Sequence, residues 1–312
     1  MTAEIAVIGP QRPKVHKALE QEFNVHNVFQ EPDIVAALEP VADRIRGVVT
    51  NAMAGVPTAV FDALPKLEIA AIMGVGLEKT DIARAKELGI TVTTTPVLYD
   101  DVSDLGIILA MNACRRIVQA DGFVRSGQWL NGRYPPAKKF SGKHAGILGY
   151  GRIGVALAKR LEAFGMTIGY YDPLPKSGVP YQAYDSAKAL AEASDILFLA
   201  AAGGQGGGHI VTGEILEALG PAGVFVNIAR GWLVDEPALV DALVSGRLGA
   251  AGLDVFEDEP SVPEALLKLE NVVLTPHVAS NTEETMDAMC DCVLANVRSW
   301  FAGKGAVTAI DS

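Results

Sequence analysis

The sequence predicts an α/β protein with two parallel sheets, and three observations lead there. Short apolar runs alternate with helical stretches along most of the chain, the pattern of strands covered by helices on both faces. The alternation occurs twice, before and after a polar stretch at 125–143 that contains Gly and Pro. The chain has 312 residues, enough for two cores of ordinary size.

The first alternation reads as strands at Ile5–Ile8, Gly47–Thr50, Leu67–Met73 and Ile90–Thr94, with helices at Lys14–Glu22, Val60–Leu64 and Asp81–Leu88. Asp101–Ala120 follows. Its centre is apolar all round, so it is expected as a buried helix. The stretch 125–143 carries Trp129 and Tyr134 without an obvious core role, and a connection of that length is expected to be interfacial. From His144 the second alternation has strands at Ala145–Leu148, Thr167–Tyr171, Ile196–Ala200, Val224–Ile228, Ala251–Val255 and Val272–Leu274. Ile153, Leu157, Leu161 and Phe164 recur at helical spacing, and Gly165 is placed to end that helix. A last long helix starts near Ser280, which has capping-box spacing to Glu283. Its stripe of Met286, Met289, Val293, Val297 and Trp300 is expected to return the chain to the first domain. The domains are then 1–98 with 284–312, and 99–283.

Composition narrows the function classes. Hydrophobic residues make up 49% and charged residues 20%, as in globular proteins. A formal charge of −11 argues against nonspecific binding to nucleic acid or anionic membranes, though a local cationic pocket can still take an anionic substrate. Three cysteines, Cys114, Cys290 and Cys292, are an odd number and read as small core residues. No His/Cys/Asp cluster has metal-ligand spacing. The start of the chain carries Glu4 and no basic, signal-like segment. Leu105–Cys114 is too short to span a bilayer, so a cytoplasmic location is expected.

The chemistry is concentrated after the strands of the second alternation. Gly149-Tyr150-Gly151-Arg152-Ile153-Gly154 follows a strand and opens a helix. Gly149 permits the tight turn, Gly151 a close backbone approach to a pyrophosphate, and Gly154 close helix–strand packing; the helix N-terminus offers N–H groups to the phosphates. Alone the motif is weak, but the next strand ends in an acid, Asp172, placed to bind the adenosine ribose hydroxyls and repel a 2′-phosphate. NAD(H) is therefore favoured, with NADP(H) as the alternative. Arg230, Glu259 and His277 each follow a later strand, where parallel sheets bind ligands. His can donate a proton near neutral pH, Arg matches a planar carboxylate, and a carboxylate beside an imidazole orients it. Taken singly, each has a blander reading: an ion pair for Arg230, a solvated turn for Glu259, a satisfied loop residue for His277. His16, His26, His144 and His209 lack comparable context.

Together, GYGRIG (149–154), NIARG (227–231), GLDVFEDEP (252–260) and LTPH (274–277) resemble the D-isomer-specific 2-hydroxyacid dehydrogenase family. A finer similarity, to glyoxylate, hydroxypyruvate and hydroxyphenylpyruvate reductases, rests on FDALPKLEI (61–69), VGLEKTD (75–81), LYDDVSDL (98–105) and KFSGK (139–143). The resemblance implies a Rossmann-type dinucleotide-binding domain inserted in a smaller flavodoxin-like substrate domain. It also implies an active site in the cleft between them and a homodimer formed through the cofactor domain. It implies that Arg230 binds and polarises a small 2-oxo acid, that His277 is the acid/base and that Glu259 pairs with it. The Val75 and Gly76 backbone would hold the substrate carboxylate, and Asp254 would lie by the nicotinamide carboxamide. Ile228, Ala229 and Ser280 complete the expected cofactor contacts, and Asn51–Ala54 with Met73 are expected at the variable end of the substrate. Two departures stand out: Asp172-Pro173 replaces the Ser-Arg common in that NADPH-preferring branch, and the loop AAGGQGGGH (201–209) is unusually rich in glycine. The alternatives are a formate or phosphonate dehydrogenase, against which Glu259 argues, and a dinucleotide-binding corepressor.

Overall fold

The computed structural model describes residues 2–174, 176–203 and 208–310. The chain divides into two compact units, Met1–Leu98 with Asn281–Ser312, and Tyr99–Ser280.

In the first unit, β1 (Glu4–Val7), α1 (Pro13–Glu22), β2 (Asn24–Asn27), α2 (Ile34–Leu38), β3 (Ile45–Asn51), α3 (Thr58–Ala63), β4 (Ile69–Met73), α4 (Ile82–Glu87) and β5 (Thr91–Thr93) follow one another. The sheet is parallel, in the order β2-β1-β3-β4-β5, which is flavodoxin-like. Every residue of β4 is buried, as a central strand covered on both faces requires. Two features escaped the periodicity. β2 reads Asn-Val-His-Asn because an edge strand buries little, and α2 is only five residues long, begun by the Asp33 carboxylate accepting from Ala36 N.

The second unit opens with α5 (Tyr99–Arg115) and α6 (Ile117–Arg125). Its strands are β6 (His144–Leu148), β7 (Thr167–Tyr171), β8 (Gln182–Ala183), β9 (Ile196–Leu199), β10 (Val224–Asn227), β11 (Ala250–Leu253) and β12 (Val272–Leu274). Between them lie α7 (Arg152–Ala163), α8 (Ala187–Ala193), α9 (Gly213–Leu219), α10 (Glu236–Val244) and α11 (Glu264–Leu267). The parallel order β12-β11-β10-β9-β6-β7-β8 is Rossmann-type, and it reverses direction between β6 and β9. Ligands bind at such a reversal, outside the carboxyl ends of the strands. α7 ends as expected, with Gly165 left-handed at φ +65°.

Three expectations are corrected. The stretch 101–120 is not one buried helix. Arg116 adopts φ +52° and separates α5 from α6, and α5 buries one face, from Val102 to Cys114, while Ile108 stays half exposed. Uniform apolarity did not distinguish burial in this unit's core from an uncovered surface. Tyr134 does pack within its own unit: its ring meets Phe123 edge-on at 5.3 Å and the Arg116 guanidinium lies 5.9 Å above it. Finally, α12 (Glu283–Phe301) is capped not by Ser280 but by Thr282, whose hydroxyl accepts from Thr285 N at 3.2 Å. Ser280 ends the second unit, too early to reach the first free N–H groups of the helix. α12 packs on β4 and α1 through buried Met289, Val293 and Val297.

Candidate active site

The β6–α7 turn has the shape of a dinucleotide cradle. Gly149 sits at φ +90°, and a Cβ there would lie 2.4 Å from the Ala201 backbone. Gly154 approaches Gly149 O so closely that a Cβ would stand 2.4 Å from it. A Cβ on Gly151 would instead meet nothing within 4 Å among the described residues. That opening lies at the N-terminus of α7, whose N-cap Gly151 supplies no side-chain cap, so the leading N–H groups at Arg152, Ile153 and Gly154 suit a phosphate. The Arg152 guanidinium lies over the Tyr99 ring at 5.3 Å and donates to its hydroxyl.

Asp172, just past β7, closes this turn. Its carboxylate accepts from Tyr150 N and Leu174 N, each at 2.9 Å, and Lys176 Nζ lies 3.4 Å away. A carboxylate has about four lone-pair sites, so room remains for sugar hydroxyls. Tyr150 is buried against Tyr170, with ring centroids 4.7 Å apart, and burial pushes its phenol up.

Arg230 is placed by the end of β10. Asn227 is buried; its Oδ1 accepts from Ala229 N and its Nδ2 donates to Arg230 O, both at 3.0 Å, which shapes the turn through buried Ile228 and Ala229. The half-buried Arg230 donates from Nη1 to Ala229 O at 2.7 Å. Gly231 permits a backbone approach that no other residue allows: a Cβ would fall 1.9 Å from the Phe256 carbonyl group. Trp232 explains part of the glycine-rich loop. Its indole lies against Gly203, where a Cβ would stand 2.4 Å from the ring. Residues 204–207 of that loop lie outside the described residues.

His277 is held in an uncommon conformation. It has φ +52°, which costs a non-glycine residue roughly 1–3 kcal/mol and persists only where the surroundings impose it. Here they do. The fully buried Asp254 carboxylate accepts from Thr275 Oγ1 at 2.6 Å, Val278 N at 2.9 Å and Ala279 N at 3.0 Å, while Asp254 O accepts from His277 N at 2.8 Å. Glu259 then meets the ring: Oε2 lies 2.7 Å from His277 Nδ1, and Oε1 accepts from Phe256 N at 3.1 Å. Nδ1 is thereby engaged, and Nε2 is the ring nitrogen open to a substrate on a side chain that is 38% exposed.

The other expected positions are scattered. Val75 and Gly76 lie in the first unit, in the turn after β4, half-buried and buried respectively. Asn51, expected near substrate, uses its side chain on its own turn: Oδ1 accepts from Met53 N and Ala54 N, and Nδ2 donates to Pro10 O. Met73 is buried, and Ser280 half-buried beside Ala279. Sequence reasoning missed the supporting residues Asn227, Gly231 and Trp232. An Asn at a buried strand end and a Gly directly after Arg230 were the available signals.

Fold and turn geometry together define a dinucleotide-binding α/β protein with an Arg, Glu and His set on the carboxyl edge of its larger sheet. Comparison with known proteins agrees. The model of the D-isomer specific 2-hydroxyacid dehydrogenase, NAD binding domain, matches residues 107–279. Glyoxylate/hydroxypyruvate reductase A of Arabidopsis thaliana and hydroxyphenylpyruvate reductase of Plectranthus scutellarioides are each 46% identical over 307 residues, 98% of both chains. Among solved structures, the NADPH-dependent glyoxylate/hydroxypyruvate reductase of Sinorhizobium meliloti, in complex with NADP and malonate, superposes with a TM-score of 0.92 at 39% identity, over 99% of this chain and 97% of that one. The chain belongs to the D-isomer specific 2-hydroxyacid dehydrogenase family and is a nicotinamide-dinucleotide-dependent oxidoreductase.

Proposed function

We propose that this enzyme reduces a small 2-oxo acid of the glyoxylate, hydroxypyruvate or hydroxyphenylpyruvate type to the D-2-hydroxy acid. The 2.7 Å pairing of His277 with Glu259, on the same sheet edge as Arg230, carries the reading. The relatives' activities support the substrate class. A nicotinamide dinucleotide, when bound, would supply the hydride. Gly151 and the start of α7 would hold its pyrophosphate, and Asp172 would hold the ribose and favour NAD(H). Arg230 binds the 2-oxo acid and polarises its carbonyl oxygen. The His277 imidazolium gives its Nε2 proton to that oxygen as the alkoxide develops. Glu259 steadies the imidazolium and fixes which nitrogen faces the substrate.

His277→Ala should lower kcat by about 10²–10⁴-fold, the worth of general acid catalysis, and leave dinucleotide affinity nearly unchanged. Arg230→Ala should damage KM and kcat together. Glu259→Gln removes the carboxylate that meets His277 Nδ1, and should lower kcat while leaving dinucleotide affinity near wild type. Steady-state kinetics on a panel of 2-oxo acids with NADH and NADPH tests all three, and a His277→Ala enzyme that keeps most of its activity overturns the assignment.

A homodimer is part of this reading, with the 1–98 and C-terminal unit as the substrate domain and the 99–280 unit as the cofactor domain. Its support is the apolar surface of the second unit: Ile117, Val118 and Val124 on α6 are half exposed, Trp129 is 66% exposed and Leu130 92%.

A further inference from the structure

The turn that carries Glu259 is braced by a carboxylate outside the reaction. Glu236 opens α10, behind the Asp235 cap, and is half-buried. Its Oε1 accepts from Glu257 N at 3.1 Å. On the neighbouring residue, Phe256 N donates to Glu259 Oε1 at 3.1 Å. The same peptide rests on Gly231, where a Cβ would fall 1.9 Å from the Phe256 carbonyl carbon and oxygen and 2.3 Å from Glu257 N. The Phe256–Glu257 peptide is therefore held between Glu236 and Gly231, and the preceding peptide, joined to it at the Phe256 Cα, donates the Phe256 N–H to the carboxylate that meets His277.

Charge attraction does not explain Glu236. Burial pushes its carboxyl up, the hydrogen bond from Glu257 N opposes that, and the charges of Glu257 and Asp258 add to the rise. Like charges on one turn repel, so what Glu236 contributes is the main-chain hydrogen bond. Glu257 is exposed, so water can take over that N–H if Glu236 is removed; the turn then loses its fixed anchor and not its fold.

We propose that Glu236 is a positioning residue for the reaction: by fixing Glu257 N, and with it the adjoining main chain of Phe256, it holds the Glu259 carboxylate in register with His277 Nδ1. This rests on the reading that the Glu259–His277 pair is the acid/base unit. Its effect is geometric, and a misplacement of about 1 Å at a catalytic pair can lower a rate up to 10²-fold.

The test uses the full chain. The short His277–Glu259 contact should give a low-field imidazole N–H resonance in the free protein, identified by its loss in His277→Ala. In Glu236→Ala that resonance should broaden or vanish, and kcat for the 2-oxo acid should fall about tenfold with KM for the dinucleotide unchanged. In Glu236→Gln, whose amide oxygen still accepts from Glu257 N, both should stay near wild type. Glu236→Asp keeps the charge and loses the reach, and should behave like Ala. A thermal melt separates these effects from unfolding; if Ala melts early, the Gln and Asp pair decides. The proposal is overturned if Glu236→Ala keeps the resonance and the rate, if Gln is as impaired as Ala, or if the wild-type protein shows no such resonance. If the resonance follows these variants while no 2-oxo acid is turned over, the positioning stands and the proposed reaction fails.

Discussion

Asp172 accepts from the main-chain N–H groups of Tyr150 and Leu174, which fixes the orientation of its carboxylate in the cofactor turn. On the proposed reading a carboxylate here would repel a 2′-phosphate, and Lys176, 3.4 Å away, would partly cancel that repulsion. kcat/KM should therefore favour NADH, and Lys176→Ala should widen the preference. A wild-type enzyme clearly faster with NADPH would show that the lysine governs the site. At Gly149 the requirement is steric. Both the φ of +90° and the Ala201 backbone at 2.4 Å from a Cβ oppose any side chain. Gly149→Ala should thus weaken dinucleotide binding, read by fluorescence titration, more than it changes the affinity of 2-oxo acid for whatever holoenzyme forms. Strain at His277 is of the other kind, imposed by Asp254 from three sides and consistent with a residue held for function.

Among the elements, α12 gives the clearest local test. Thr282 satisfies Thr285 N, and Glu283 and Glu284 in the first turn suit the positive end of the helix dipole. Thr282→Ala should cost about 1 kcal/mol and lower Tm by roughly 2 °C, whereas Ser280→Ala should leave Tm unchanged. Equal losses, measured by calorimetry, would mean that the helix starts earlier than Glu283. The far part of α12 is held differently. Buried Asn296 donates from Nδ2 to Thr308 Oγ1 at 2.8 Å and accepts at Oδ1 from Val307 N and Thr308 N at 2.9 Å, which fastens the strand-like tail beside β5.

For the molecule as a whole, acid should weaken the first unit below the ordinary carboxylate range. Arg298 holds the Glu22 carboxyl below its usual 4.5, and Arg46, with Trp300 adding a hydrogen bond, does the same for Glu68. The Glu22–Arg298 pair ties α12 to α1, and Glu68, paired with Arg46 of β3, accepts from Trp300 Nε1 of α12 at 3.0 Å. A depressed folded pKa means stability that is complete above pH 4.5 and is lost as pH falls through the lower folded values. Denaturation midpoints should drop over that window, and the double variant Glu22→Gln, Glu68→Gln should flatten the drop. An unchanged slope would assign acid sensitivity to other carboxylates. Light scattering at micromolar concentration should find a dimer, and Trp129→Ser with Leu130→Ser should yield a monomer. A monomeric wild type would remove the second copy as the cover of that apolar surface.

The sequence by itself determined the two parallel sheets, the place of the GYGRIG turn and the candidacy of Arg230, Glu259 and His277. Each rests on information local in the chain: buried strands must be apolar, tight turns must be Gly, and ligand groups must follow strand ends. It misjudged 101–120, because apolar side chains look alike whether they meet this unit's core or are left uncovered, and because the break at Arg116 is a single backbone angle. It also misplaced the cap of α12, since Ser280 and Thr282 are equivalent by residue type and only the direction of the incoming chain separates them. Tertiary structure alone decided that Asp254 is spent on holding the His277 loop, that Asn51 closes its own turn, and that Gly231 and Glu236 brace the turn of Glu259. These are contacts between segments about twenty residues or more apart, or choices of hydrogen-bond partner. Residue identity names the groups that can bond, but only the packed chain selects which of them meet.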